Sequence, residues 1–504
     1  MHYSEIHWSA QGGIPILALL QFLPLLLAAW MAYRQNKGGV MGVGVVGSFG
    51  LFLGSLWLYA HFDQQSGAMQ FAERVQILGA FQYHAAVDGV SVLFTMLTAF
   101  LTWLIVLYGR VRPLEPNWLF LMLVFVVESA VISQFVTLDL LWFALISTLQ
   151  MGVLGYVLWV WATSAGSGGA IGRYLQFMGV GAVLFFAGVV ILGWNHYTAS
   201  HGRWSFDLID LAATPIQPGY QSVIFFLLFY GLAVRIPLFP FHGWLPAVAE
   251  HGMVAVAPTF LLGLKTGVFG LLRFVFPLLS EAVWQWHGYI VAFAVAGVFY
   301  AAILALRQDN LRRLLAFAVV SHTGILIIGL FSLGHAAFEG GVLLSVNFGL
   351  ATAGLLFMSG IIHSRTGTML LPQLGGLFDH FPLVGTAFLV AGLSIIGMPG
   401  TPGFDAVHLA LEAAINRFGA VVTVTTALGN VMAAGFLLFA FQRAFLAQNR
   451  KGSQLELPPV LFLERFLAVV IIGVLIYTGF YTEPWLELIE RSLEGVSSLY
   501  GHHA

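Results

Sequence analysis

The sequence predicts an all-α membrane protein of about fourteen transmembrane helices. The composition is 59% hydrophobic and only 8% charged, whereas soluble globular domains carry about 25% charged residues. Mean hydropathy is +0.90. Apolar runs of about 20 residues recur from near residue 15 to residue 480, and no polar block between them is long enough to fold separately. We therefore interpret residues 1–504 as a single membrane domain.

Each predicted helix is an apolar run long enough to cross a bilayer. The runs cover approximately 14–33, 39–61, 88–109, 117–136, 138–162, 174–194, 221–240, 256–277, 287–306, 314–333, 341–362, 382–403, 418–441 and 464–481. Most of the 20 Lys and Arg residues fall in alternate loops, which the positive-inside rule assigns to the cytoplasm. This distribution predicts an inner-membrane protein with an even number of spans and both termini outside the cytoplasm.

The absence of cysteine excludes several kinds of chemistry. Without thiolates, the chain cannot ligate an iron–sulfur cluster or a Cys-bound zinc ion. We therefore expect no cofactor and no metal in this chain, and any redox reaction would take place in another subunit. The formal net charge of −2 does not favour nucleic acid as a partner.

Two segments interrupt the apolar runs with proline and glycine. The first, "VRIPLFPFHGWLP", contains Pro237 and Pro240, and the second, "GMPGTPGF", begins at Gly397. Proline removes a backbone donor, and a broken helix is tolerated at membrane depth only where the backbone is buried in protein or lines a cavity. The sequence therefore predicts that the seventh and twelfth helices are broken.

Ionisable residues within the runs are rare, and each costs about 2.5–3.5 kcal/mol at mid-helix on insertion scales. Lys265 lies in the middle of "AVAPTFLLGLKTGVFGLLRF". A buried ammonium loses its proton more readily than an exposed one, so its charge can respond to a neighbouring proton or carboxylate. We favour a proton relay at Lys265 over a permanent ion pair between helices.

The other ionisable residues in the runs have competing interpretations. Glu128 lies mid-run and is a candidate partner for a buried cation, whereas Asp139 follows Thr137 at a helix start and is better explained as an N-terminal cap. Arg235 stays protonated, which favours a fixed counter-charge over a proton carrier. His322 is either a packing residue or a proton carrier.

A further group of ionisable residues follows the second break. Asp405, His408 and Glu412 are spaced i, i+3 and i+7, which places them on one face of a helix. Two carboxylates and an imidazole on one face fit either a metal site or a proton path. We favour the path.

Five blocks together resemble the antiporter-like membrane subunits of complex I, a family shared with Mrp-type antiporters and membrane-bound hydrogenases, with the greatest likeness to subunit M. The blocks are "HAAVDGVSVLFTMLTAFLT" from His84, "VRIPLFPFHGWLP" from Val234, "GLKTGVFGLLRF" from Gly263, "DNLRRLLAFAVVSHTG" from Asp309 and "IGMPGTPGF" from Ile396. They cover about residues 80–410. The resemblance implies fourteen helices and places Lys265 at the family's central helix-8 lysine, between two half-channels. His322 falls on the histidine of the family's "SHMG" block.

Several positions depart from the family pattern. Thr148 stands where the family has a helix-5 glutamate, and Arg235 replaces the helix-7 lysine that pairs with it. Phe348 stands where subunit M tends to have a helix-11 histidine, and the helix-12 glutamate aligns near Val407. These departures favour a specialised assembly over the standard respiratory one.

We therefore predict a proton-translocating, antiporter-like membrane subunit of a complex-I-like assembly related to NADH/quinone oxidoreductases. Protons would pass through Lys265 and His322, with entry or exit near Asp405, His408 and Glu412. The expected partners are other membrane subunits or one large soluble protein. The alternatives are an ion-gradient-coupled subunit of an inorganic carbon uptake complex, a stand-alone cation/proton antiporter and a non-conducting scaffold.

Overall fold

A computed structural model describes residues 4–35, 38–78, 81–162, 166–251, 265–448 and 458–501. The helices are α1 (Ile16–Arg34), α2 (Val40–Ala60), α3 (Gly89–Val111), α4 (Asn117–Val136), α5 (Leu140–Val160), α6 (Ser167–Ala199), α7 (Leu208–Ala212), α8 (Pro218–Arg235), α9 (Trp244–His251), α10 (residues 265–278), α11 (Ser280–Leu306), α12 (Leu311–Leu330), α13 (His335–Thr366), α14 (Leu377–His380), α15 (Pro382–Ile395), α16 (Pro402–Phe441), α17 (Phe462–Phe480) and α18 (Glu483–Ser498). Residues Leu271–Val275 of α10 form a π-helical turn, and a second such turn, Gln442–Leu446, follows α16.

Eleven helices within the described ranges are long and apolar enough to cross a membrane. The remaining predicted crossings correspond to α8, α10 and the short apolar helix α15. The first residues of the predicted span 256–277 lie outside the described residues, up to residue 264. The all-α class and the multi-pass architecture are confirmed.

Both predicted helix breaks are present. The first separates α8, which ends at Arg235, from α9, and the second separates α15 from α16. In the second break Gly397 and Gly400 have φ angles of 73° and 83°, a left-handed conformation that only glycine adopts at little cost. Gly419, with φ 73°, interrupts α16, so that this helix contains the second half of the broken helix and the following span.

A small sheet, which was not predicted from the sequence, covers one end of the bundle. Its strands are β1 (Glu5–His7), β2 (Met69–Leu78) and β3 (Phe81–Val87), in the order β1-β2-β3. The first pair is parallel and the second antiparallel. The backbone N–H of Leu138 donates to the carbonyl of His84 over 2.9 Å, which joins the sheet to the loop between α4 and α5.

The loops gather at two ends of the bundle as the predicted alternation requires. At one end Arg273 binds Asp88 over 2.7 Å, and both residues lie next to predicted outer segments. At the other end Arg313 binds Glu250 over 3.1 Å, and both residues lie in predicted cytoplasmic loops. Between these ends α3, α4, α12 and α13 are the most deeply buried of the long apolar helices.

Candidate functional site

The depth of Lys265 is set by the contacts of α10 with α3. Lys265, Phe269 and Arg273 are spaced i, i+4 and i+8, so they lie along one face of α10. Arg273 Nη2 donates to Asp88 Oδ1 and to Ser91 Oγ over 2.7 and 2.8 Å. The ring of Phe269 contacts that of Phe94, which lies nearer the C-terminus of α3. The two helices therefore run antiparallel, and Lys265 lies two turns inward from the Arg273 ion pair.

Lys265 is buried against a glycine of α13. The residue is 5% exposed. A β-carbon on Gly349 would lie 2.2 Å from Lys265 Cε and 2.5 Å from Nζ, distances that real β-carbons essentially never show. The same β-carbon would lie 3.2 Å from Leu97 Cδ2 of α3. Residue 349 must therefore be glycine for the Lys265 side chain to keep this position.

A cavity of about 40 Å³ lies beside Lys265 and also reaches His322. A water molecule needs roughly 10–15 Å³, so the cavity has room for about three. Both helix breaks contribute to its wall, through Ile236 and Ile395. The polar lining comes from Lys265, His322, Thr323, Ser345 and Asn347.

His322 of α12 faces this cavity. Its Nε2 is buried and has no hydrogen-bond partner among the described residues. The centroid of its ring lies 6.2 Å from that of Phe348. Because a buried ring nitrogen needs a partner, water in the cavity is the natural one.

Asn347 connects the cavity to the second helix break. Its Nδ2 donates to the carbonyl of Ser394 over 3.0 Å, and Ser394 Oγ donates to Asn347 Oδ1 over 2.5 Å. Ser394 belongs to the last turn of α15. The only sequence signal for this residue is a single amide in the apolar stretch "LLSVNFGL", which sequence reasoning missed.

Glu128 is fully buried in α4, and neither carboxyl oxygen has a hydrogen-bond partner among the described residues. Phe135, two turns further along α4, contacts Phe94 of α3 and Phe269 of α10 with ring centroids 5.2 and 5.1 Å apart. Because both are antiparallel to α3, α4 and α10 run in the same direction. Measured along the helix axis from the contact of Phe135 with Phe269, Glu128 lies about 10.5 Å toward the N-terminus of α4 and Lys265 about 6 Å toward the N-terminus of α10. The α-carbons of Glu128 and Lys265 therefore differ in depth by about 4.5 Å, and both side chains lean toward the N-termini of their helices.

Arg235 lies at the first helix break, next to the cavity wall. It is 5% exposed, and neither Nη1 nor Nη2 has a hydrogen-bond partner in the part of the chain that the structure describes. Thr148 of α5, where the resemblance implies a glutamate, donates its hydroxyl to the carbonyl of Ala144 in its own helix over 2.9 Å. Its hydroxyl is therefore used within α5.

Asp405, His408 and Glu412 are not brought together with Lys265 and His322. His408 and Glu412 are exposed on the outer face of α16, and Asp405 is half-buried and accepts a hydrogen bond from Thr482 over 2.6 Å. The buried face of the same turn carries Val407. The three residues share one helical face as predicted, but on the isolated chain that face points away from the central cavity.

Two further groups lie at the end of the bundle near the sheet. Asp139 Oδ1 accepts the backbone N–H of Trp142 over 2.7 Å, which confirms the predicted helix cap. His84 of β3 lies between two carboxylates, with Nε2 2.6 Å from Glu5 Oε1 and Nδ1 bonded to Asp207. Burial lowers the pKa of His84, but hydrogen bonds to Asp207 and Glu5 outweigh it and raise the pKa to about 9.

Two broken helices, with a buried lysine and histidine at one small cavity between them, are typical of membrane proteins that carry ions through their interior. Residues 137–433 match the family described as "NADH:quinone oxidoreductase/Mrp antiporter, TM". This match covers more than half of the chain, so the chain belongs to that family.

The similarity to individual relatives extends along nearly the whole chain. It is 29% identical to the F(420)H(2) dehydrogenase subunit M of Methanosarcina mazei, over 96% of this chain and 99% of the relative. It is 28% identical to the NADH-quinone oxidoreductase subunit M of Escherichia coli K12, over 97% and 98%. A chain of respiratory complex I from Thermus thermophilus superposes with a TM-score of 0.87 and 26% identity, over 96% of this chain and 100% of that one. The resemblance to subunit M is confirmed.

Proposed function

We propose that this chain is a proton-translocating, antiporter-like membrane subunit of a complex-I-like assembly. The observation that carries the proposal is the cavity shared by Lys265 and His322, enclosed between the two helix breaks. Waters in a cavity of this size would connect the ammonium to the imidazole, and both groups exchange protons. Family membership supports the same function.

Further groups extend the proposed path. Glu128, a fully buried carboxylate of α4, takes the place of the carboxylate that the resemblance implies at Thr148. Asn347 and Ser394 continue the polar lining toward the second break, where the turn between α15 and α16 leads to Asp405. Arg235 acts as a fixed charge at the first break. His408 and Glu412 would then line an opening toward the surface or toward a neighbouring subunit.

The assembly is proposed from the relatives. Both curated relatives are named as subunits of dehydrogenases, and the superposed chain belongs to a respiratory complex. These names favour a redox-driven assembly over inorganic carbon uptake and over a stand-alone antiporter. The partners of this chain would be other membrane subunits in an inner membrane, and the electron carriers would lie in those partners.

The test is proton pumping by the assembled complex after replacement of Lys265. Lys265→Met keeps the length of the side chain and removes its titratable nitrogen. We expect electron transfer to persist, at least in part, while acidification of inverted vesicles, followed with a pH-sensitive dye, falls to background. His322→Leu should reduce pumping in the same assay.

Arg443→Met is the matched control, because Arg443 is an exposed basic residue of the π-helical turn after α16. It removes one positive charge far from the cavity and should pump normally. Co-purification of the partner subunits verifies assembly in every case. Normal pumping by an assembled Lys265→Met complex would contradict the proposal.

The orientation of the chain is tested by cysteine labelling. Because the chain contains no cysteine, each introduced thiol is unique. Gln65 and Asp309 are exposed and lie in predicted outer and cytoplasmic loops respectively. A membrane-impermeant maleimide added to intact cells should label Gln65→Cys and not Asp309→Cys, and the reverse pattern would invert the predicted orientation.

A further inference from the structure

A second cavity, of about 240 Å³ and almost entirely apolar, is lined in part by Leu97 of α3, which adjoins Gly349 beside Lys265. Helices α2, α3, α13, α17 and α18 all contribute to its wall, and Leu93, Met96 and Val346 are among its lining residues. An engineered cavity of about 150 Å³ with a similar lining stays dry and binds benzene. This larger cavity therefore favours a hydrocarbon occupant over water.

The cavity adjoins the lipid-facing surface of the bundle. Tyr477 of α17 belongs to its lining and is 59% exposed on the isolated chain. On the neighbouring α2, Leu53 is 48% exposed and Phe49 is 40% exposed. Because Leu53, Phe49 and Tyr477 belong to membrane-spanning helices, the mouth of the cavity lies at the depth of the lipid hydrocarbon.

The lining of the cavity suits the tail of a lipid, because it is almost entirely apolar. A single extended acyl chain is narrower than a helix and can enter from the bilayer.

Trp485 of α18 provides an independent sign of a ligand. Its side chain lines the cavity, and its Nε1 is buried without a hydrogen-bond partner among the described residues. A buried indole N–H normally finds an acceptor. The ester or phosphate oxygen of a lipid whose tail occupies the cavity would supply one.

The charge of α18 restricts the kind of headgroup. This helix carries Glu483, Glu487, Glu490 and Glu494 against a single arginine, Arg491. Such a surface repels an anionic headgroup and attracts an ammonium.

We infer that this cavity is a binding site for a zwitterionic phospholipid such as phosphatidylethanolamine. One acyl chain fills the space between α3, α13 and α17, and an ester or phosphate oxygen accepts the N–H of Trp485. The tail then keeps water away from Leu97. Lys265, which lies beside Gly349 next to Leu97, consequently exchanges protons through the smaller cavity that it shares with His322.

The test uses the purified native assembly in nanodiscs with phosphatidylethanolamine that carries a diazirine near the end of its acyl chain. After irradiation, mass spectrometry should locate the label on peptides of α3 and α13 that contain Leu93, Met96 or Val346. Met96→Trp fills the cavity and should lower this labelling at least fivefold, as should the smaller change Leu93→Phe. Trp485→Phe removes only the N–H and should weaken retention of the lipid through purification.

Val183→Trp is the control, because Val183 is 69% exposed on α6, far from the cavity. It should leave the labelling of α3 and α13 unchanged. The proposal is overturned if Met96→Trp and Leu93→Phe label like the parent protein, or if no acyl label reaches α3 and α13. Equal labelling by the phosphatidylglycerol analogue would overturn the headgroup assignment.

Discussion

The side chain of Lys265 ends against Gly349, at a point where a β-carbon would lie 2.5 Å from its Nζ. Gly349→Ala therefore requires the ammonium to retreat, while the backbone of α13 stays helical. We expect the assembled complex to form and proton pumping to fall about tenfold or more, because displacements of about 1 Å at a reacting group carry penalties of this size. The measurement is the ratio of protons pumped to electrons transferred in vesicles.

Gly435→Ala controls for the glycine replacement itself. Gly435 lies inside α16, and a β-carbon there would meet nothing within 4 Å. This variant should pump normally. If Gly349→Ala pumps as well as Gly435→Ala, then the position of the Lys265 side chain does not limit proton transfer.

Much of the fold could be predicted from the sequence, because membrane helices are encoded by local composition. The two breaks were predictable for the same reason, since proline and glycine act on their own helix. The sheet was not predicted. β1 pairs with β2 across more than sixty residues, a pairing that local composition does not encode.

The site was predicted only in part, because its residues differ in how conspicuous they are. Lys265 and His322 are conspicuous as ionisable groups in apolar runs, whereas Gly349 and Asn347 depend on contacts between distant helices. The spacing i, i+3 and i+7 predicted that Asp405, His408 and Glu412 share one face of a helix. Periodicity does not say which face of a helix a neighbour covers, and here the buried face carries Val407.

The pair formed by Asn347 and Ser394 gives a second prediction. Asn347→Leu removes the amide that donates a hydrogen bond to the Ser394 carbonyl and accepts one from the Ser394 hydroxyl. The buried hydroxyl is then left without its acceptor. We expect a loss of about 1–3 kcal/mol in stability and a decrease in pumping. Thermal unfolding in detergent and the vesicle assay measure the two effects.

A double-mutant cycle separates the hydrogen bond from the change of shape. Ser394→Ala removes the donor hydroxyl. Because the two residues are coupled, Asn347→Leu should lower stability less in the Ser394→Ala background than in the parent protein. Strictly additive losses of stability would mean that the pair does not act as a unit.

Two ion pairs of different burial give a third prediction. Arg365 and Glu464 form a two-pronged pair in which the side chains are 4% and 0% exposed, whereas Arg491 and Glu494 are 48% and 49% exposed. Glu464→Gln leaves a buried guanidinium without its counter-charge and should cost about 3–5 kcal/mol. Glu494→Gln should cost less than about 1 kcal/mol. Similar melting temperatures for the two variants would contradict the argument from burial.

His84 gives a pH-dependent prediction that concerns stability. Its pKa in the folded protein is about 9, above the usual 6.5, because the hydrogen bonds to Asp207 and Glu5 outweigh burial. A raised histidine pKa means that the stabilising contribution is complete below about pH 6.5 and is lost as the pH rises through 9. The contribution is at most about 3 kcal/mol. The melting temperature in detergent should therefore fall between pH 6.5 and pH 10.

His84→Gln is the control, because glutamine still reaches one carboxylate but does not titrate. This variant should be less stable than the parent at pH 6.5, and the difference should shrink by pH 10, where the parent histidine is neutral. Asp207→Asn should shift the midpoint of the parent's pH dependence downward, since one of the two acceptors that hold the proton is lost. If the melting temperatures of the parent and of His84→Gln fall by the same amount between pH 6.5 and pH 10, then the protonated histidine does not stabilise the contacts of β3 with β1 and with the start of α7.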